Sequence, residues 1–95
     1  MQKQFDKLIE TQTLKIERII SKGKISPKNY WYDQGKDEWV ILLQGEAEIL
    51  FEEDNNKVRM KSGDYILIPA HCMHRVTHTS NNPPCIWLAV HFSNK

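Results

Sequence analysis

From residue 38 to residue 92 the chain is a succession of short apolar runs broken by Gly, Pro, Asn and Asp, and this rhythm restricts its fold more than any other feature. Successive side chains of an extended strand point to opposite faces, so apolar and polar residues that alternate describe strands with one face on a core. Glu38-Trp39-Val40-Ile41-Leu42-Leu43 is rich in strand formers, stops at Gly45 and reads as a buried strand. Ala47, Ile49 and Phe51 then alternate with Glu46, Glu48 and Glu52. After Asp54-Asn55-Asn56, Val58 and Met60 alternate with Lys57, Arg59 and Lys61, which predicts a hairpin whose acidic and basic outer faces meet. Ser62-Gly63-Asp64 marks a further turn, Tyr65 to Ile68 a further strand, and Pro69 ends it because it has no N–H for the ladder. Val76 sits between His74 and His78 on one face of the next strand, Asn81-Asn82-Pro83-Pro84 is a loop, and Ile86 to Phe92 forms a last strand with apolar residues on both faces.

The first third of the chain is less regular. Leu14-Lys15-Ile16-Glu17 alternates as a half-buried strand, before the loop signals Gly23 and Ser26-Pro27. In Phe5-Asp6-Lys7-Leu8-Ile9 the apolar residues stand three and four apart, which fits a short helical turn, although so brief a pattern also admits a strand. No repeat, low-complexity tract or linker divides the 95 residues, so residues 1–95 read as a single domain. Many short strands with no long helix predict an all-β sandwich or barrel.

Lys and Arg number 13 against 12 Asp and Glu, so no broad field attracts nucleic acid or an anionic membrane, and a small neutral or weakly charged ligand is the expected partner. No stretch approaches the roughly 20 consecutive apolar residues of a membrane-spanning helix, and the N-terminus lacks the apolar core of a secretory signal. The expected location is the cytoplasm, where Cys72 and Cys85 are reduced thiols. A chain this short buries a modest share of its surface, so association into a homodimer would help it.

Two segments carry a more specific pattern. Glu38 and Gly45 have six residues between them, and Gly63, five residues, Pro69, one residue at each of positions 70 and 71, two more residues and His74 form a second spaced set. In these two segments, about 31–45 and 63–78, the chain resembles the cupin superfamily. The resemblance implies a single antiparallel jelly-roll barrel, with Glu38 and His74 pointing into it. A metal-binding member of that superfamily holds its ion with three His and one Glu. Here both His of the first motif are missing: with four intervening residues before Glu38 their places fall on Trp31 and Asp33, with three on Tyr32 and Gln34. In the second motif His71 replaces Gly and His78 replaces Asn.

The resemblance implies a divalent ion (iron, manganese, nickel or zinc) held by Glu38 and His74, with Asp33 and His71 as substitutes for the lost ligands. Such an ion would polarise a bound small molecule or activate dioxygen or water, in an isomerase, dioxygenase or lyase. The alternative is a metal-free cupin, either a ligand-binding module or an isomerase in which His74 and Glu38 transfer protons, or else a dimeric regulatory module. Equally, His74 could be a buried structural histidine paired with Glu38. Tyr32, Trp87 and His91 are candidates for the ligand-contacting wall, and Trp87 and His91 could instead lie in a dimer interface. Cys72, flanked by His71 and His74, has a weaker reading as a reactive thiol or peripheral ligand.

Overall fold

The computed structural model describes residues 4–27 and 30–93. They form eight strands and no helix: β1 (Gln4–Glu10), β2 (Leu14–Ser21), β3 (Asp37–Gln44), β4 (Glu46–Phe51), β5 (Asn56–Lys61), β6 (Tyr65–Ile68), β7 (His74–Thr79) and β8 (Cys85–Phe92). Among the described residues, therefore, no helix is long and apolar enough to cross a membrane. The strands make a five-stranded sheet in the order β1-β2-β8-β3-β6 and a three-stranded sheet in the order β5-β4-β7, with every named pairing antiparallel. This is the jelly-roll arrangement. The predicted hairpin is β4–β5, with Asn55 at φ 53 in its turn.

The N-terminal segment resolves as strand, not as a helical turn. Phe5 pairs with Ile19 and Asp6 with Arg18, and a bulge between Lys7 and Ile9 produces the spacing that resembles a helix in the sequence.

Four rows of inward side chains cross the large sheet. Lys15, His91, Glu38 and Ile68 make the first, and Glu17, Ala89, Val40 and Ile66 the second, while Glu10 and Lys7, which continue these rows onto β1, are exposed and pair with each other. Phe5, Ile19, Trp87 and Leu42 make the third, and Ser21 with Cys85 the fourth. Polar groups thus gather at one end of the barrel. The core of Val40, Leu42, Ala47, Ile49, Met60, Ile68, Cys85, Trp87 and Ala89 fills the middle and the other end.

Since Glu17, Ile19 and Ser21 point inward, Leu14, Ile16 and Ile20 occupy the outer face of β2, opposite to what alternation alone suggests. Ile86, Leu88, Val90 and Phe92 of β8, Trp39 and Ile41 of β3 and Tyr65 and Leu67 of β6 continue that outer face. In β7 a bulge between Val76 and His78 turns His78 outward opposite Glu48 and Thr79 inward, so His74 and His78 do not share a face.

Candidate functional site

A cavity of about 140 Å³ lies between the two sheets. An apolar cavity of roughly 150 Å³ holds a molecule the size of benzene, so the space suits a compact organic ligand. Its polar lining includes Glu38 from β3, His91 from β8, His74 from β7 and Glu17 from β2, with Tyr32 and Gln34 from the loop before β3. Ile19, Val40, Ile49, Ile68, Val76 and Trp87 form an apolar belt beyond them. The loop reaches the cavity because it runs along the free edge of β7: Tyr32 N–H donates to the His74 carbonyl at 2.7 Å, and His74 N–H donates back to Tyr32 O at 3.2 Å.

Burial and hydrogen bonds define each group. Glu38 is 8 %, His74 6 % and His91 9 % exposed. The amide Nε2 of Gln34 donates to Glu38 Oε1 at 2.7 Å. His74 Nδ1 stands 2.9 Å from the Cys72 carbonyl oxygen, which can only accept, so Nδ1 carries a proton in either charge state, and whenever the ring is neutral its lone pair is on Nε2. The rings of Tyr32 and Phe51 flank this imidazole with centroids 5.6 and 6.2 Å away. His91 Nε2 donates to Glu17 Oε2 at 2.9 Å, with both side chains nearly buried. The hydrogen-bonded His–Glu pair is therefore His91–Glu17, and not the His74–Glu38 pair of the alternative structural reading. Glu38 and His91 are direct neighbours across the β3–β8 ladder, which puts their Cβ atoms about 5 Å apart.

The four residues expected to hold a metal are not brought together. Glu38 and His74 line the cavity. Asp33 and His71 instead pair with each other at the surface, His71 Nδ1 to Asp33 Oδ1 at 2.8 Å, with side chains 51 % and 71 % exposed. Strand alternation explains Asp33: Tyr32 and Gln34 face the cavity, so the residue between them faces out. His71 has φ 63, a left-handed conformation that glycine adopts freely, and its backbone N–H donates to Gln34 O. The glycine of the family motif answers this backbone geometry, and the imidazole that replaces it gains no access to the barrel. Among the described residues no group of three or more His, Cys, Asp and Glu is arranged to hold a metal ion. The donor set facing the cavity in the four ligand positions, Tyr32, Gln34, Glu38 and His74, does not fit the expected ion.

Tyr32, Trp87 and His91 all line the cavity, and Trp87 and His91 do not lie on the outer face. Trp31 points away, beneath Arg75 at 5.9 Å. Cys72 and Cys85 are free thiols. Burial, and then Glu53 and Asp54, raise the Cys72 thiol above its ordinary range, the reverse of activation. Glu17, Ser21 and Lys24 line the cavity without having been marked by any motif. The signal for Glu17 and Ser21 was the even spacing Glu17, Ile19, Ser21, overshadowed by the equally regular apolar Leu14, Ile16 and Ile20.

These features define a small jelly-roll barrel with a cavity suited to a small molecule. The cupin domain family matches residues 17–91, and the chain belongs to that family. A crystal structure from Ralstonia eutropha, of a protein provisionally named a mannose-6-phosphate isomerase, is 47 % identical, with TM-score 0.93 over 97 % of this chain and 85 % of that one. A conserved Streptococcus pyogenes protein of unknown function is 24 % identical, with TM-score 0.80 over 99 % of this chain and 76 % of that one. A cupin superfamily protein from Desulfitobacterium hafniense is 20 % identical, with TM-score 0.82 over 98 % and 79 %. No protein of curated function matches the chain.

Proposed function

We propose that this cupin binds a small polar organic molecule in its barrel and moves a proton on it through His74, without a metal ion. The observation that carries the reading is the hydrogen bond of His74: with Nδ1–H committed to Cys72 O, the neutral form of this buried ring on the cavity wall has its lone pair on Nε2. Nε2 takes a proton from the ligand and returns it to a neighbouring atom of the same molecule. Glu38, oriented by Gln34, faces the same space and offsets the positive charge that His74 acquires. The isomerase name of the Ralstonia relative supports a reaction of this kind, because an isomerase relocates atoms within one substrate.

The test is a screen of small hydroxy and oxo compounds against metal-stripped protein, read by NMR shifts and by exchange of ligand hydrogens with deuterated water. Exchange is expected for ligands that shift His74 and Glu38, with His74→Ala losing at least about 100-fold of the rate. Exchange that survives both His74→Ala and Glu38→Ala would overturn the reading. A saturable rise in melting temperature with iron, manganese, nickel or zinc would replace it with a metal-dependent enzyme.

We further propose that the protein is a homodimer through the outer face of its large sheet. Tyr65 and Leu67 on that face are 66 % and 52 % exposed, and with Trp39, Ile41, Leu88 and Val90 they form a continuous apolar surface. A contiguous exposed apolar surface marks a site of association, and one patch meeting its own copy gives a closed two-fold interface.

A further inference from the structure

The proton-transfer reading uses one end of the cavity and leaves the other unexplained. Ser21, the last residue of β2, is 1 % exposed and lines the cavity, and its Oγ has no hydrogen-bond partner among the described residues. A buried hydroxyl left unpaired is costly, so such a group points to something that completes it. The other buried unpaired atom, Arg75 Nε, is outside the cavity lining. Lys24, three residues further on, also lines the cavity, and its side chain is exposed, so it marks where the cavity meets solvent. Among the described residues no carboxylate lies within ion-pair distance of Lys24. Thr79 is close by but already committed, its Oγ1 donating to the Lys24 carbonyl at 2.6 Å.

Ser21 stands four residues beyond Glu17 on an extended strand, so about 13 Å separates the backbone of this hydroxyl from that of the acidic end. Between the two ends lies the belt of Ile19, Val40, Ile49 and Trp87. A ligand group at the Ser21 end lies beside a hydroxyl donor, with Lys24 at the rim of the same cavity, and is far from Glu17 and Glu38, while the rest of the molecule meets hydrocarbon.

We propose that the cavity takes a small organic carboxylate: its carboxylate between Ser21 Oγ–H and Lys24 Nζ, its apolar body along the belt, and a second polar atom reaching His74 and Glu38. A carboxylate offers the acceptors that one hydroxyl and one ammonium can satisfy. A phosphate brings more charge and a third strongly accepting oxygen, which the apolar belt cannot match. The inference rests on the cavity being a ligand site, but the anchor does not depend on proton transfer.

The test titrates metal-stripped full-length protein with benzoate, 4-hydroxybenzoate, the amide of each, and inorganic phosphate, following backbone amide shifts. A benzene-sized ring suits the cavity. Both carboxylates are expected to bind and to shift Ser21 and Lys24, with the amides at least about tenfold weaker. Ser21→Ala and Lys24→Met are each expected to weaken carboxylate binding about tenfold, the scale of a hydrogen bond to a charged group. Ser21→Ala removes an unpaired hydroxyl, so its urea midpoint should match or exceed that of the parent, which separates lost binding from lost folding. Amides binding as tightly as carboxylates, no carboxylate binding, or insensitivity to both substitutions would each overturn the anchor. So would phosphate binding at Ser21 without the carboxylates. If Ser21-dependent binding of the benzoates persists while no hydroxy or oxo compound of the exchange screen exchanges its hydrogens, the anchor stands and the proton-transfer reading falls. The opposite pattern, exchange at His74 with silent Ser21 and Lys24, rejects the anchor alone.

Discussion

Replacing Gly45 with alanine would put a methyl group where the closed end of the barrel has no room. Its ideal Cβ would lie 2.6 Å from Ser80 Oγ, 3.0 Å from Cys85 Sγ and 3.1 Å from Cys85 Cα. Ser80 is the softest of these neighbours but is not free to move: its Oγ accepts from Glu46 N–H at 3.0 Å and donates to Pro83 O at 2.7 Å. The backbone is also at φ 98, where an L side chain is strained by about 1–2 kcal/mol. Losing the two Ser80 hydrogen bonds adds about 1 kcal/mol each, for a total near 3–4 kcal/mol. In a domain of this size each kcal/mol lowers the melting temperature by about 4–8 °C, so Gly45→Ala should lose about 12–30 °C. Two controls separate the contributions. Gly63 has φ 92 with open space around it, so Gly63→Ala should cost about 1–2 kcal/mol from strain alone. Gly35 has neither constraint, and Gly35→Ala should stay within about 0.5 kcal/mol of the parent. Urea unfolding followed by circular dichroism gives all three values. Equal costs at Gly45 and Gly63 would refute the steric part of the reasoning.

Asp33→Ala removes only a surface pair, so stability should change by less than about 1 kcal/mol and cavity binding by less than twofold; loss of binding would return Asp33 to the site. Leu67→Asp and Tyr65→Lys should turn the dimer into a monomer by analytical ultracentrifugation without emptying the cavity, and an unchanged mass would place the interface elsewhere. Burial raises the Cys72 thiol above its ordinary value of 9.0, so iodoacetamide should label the folded protein slowly at neutral pH and speed up only above that value. Because the raised value favours the protonated thiol in the folded state, this group contributes stability below that range and loses it as pH rises through it.

Much of the barrel was legible in the sequence because strands announce themselves by period and turn residues. Gly45, Gly63 and Pro69 fall at the turns and strand end that their backbone chemistry demands. What misled was local register. The bulge at Lys7 made β1 resemble a helical turn, and the bulge in β7 moved His78 off the face of His74. Alternation also cannot say which of two half-apolar faces is the inner one, so β2 concealed Glu17 and Ser21 behind Leu14 and Ile16. Glu38 and His74 were legible because fixed spacings carry them to the cavity. Asp33 and His71 looked like ligands by residue type, yet one sits on the outward pleat and the other serves a left-handed turn. The pairing of His91 with Glu17 joins residues 74 positions apart, which no local pattern encodes.

As proposed, His74 presents an unprotonated Nε2 to a cavity that works without a metal. Long-range ¹H–¹⁵N correlation of the histidine side chains tests it most directly, first on metal-stripped protein and then after zinc is added. The expected spectra show the Nδ1–H tautomer for His74, a proton on Nε2 for His91, and no change at His74 with zinc. A proton on His74 Nε2 in the stripped protein, or a zinc-induced shift of that nitrogen, would contradict it.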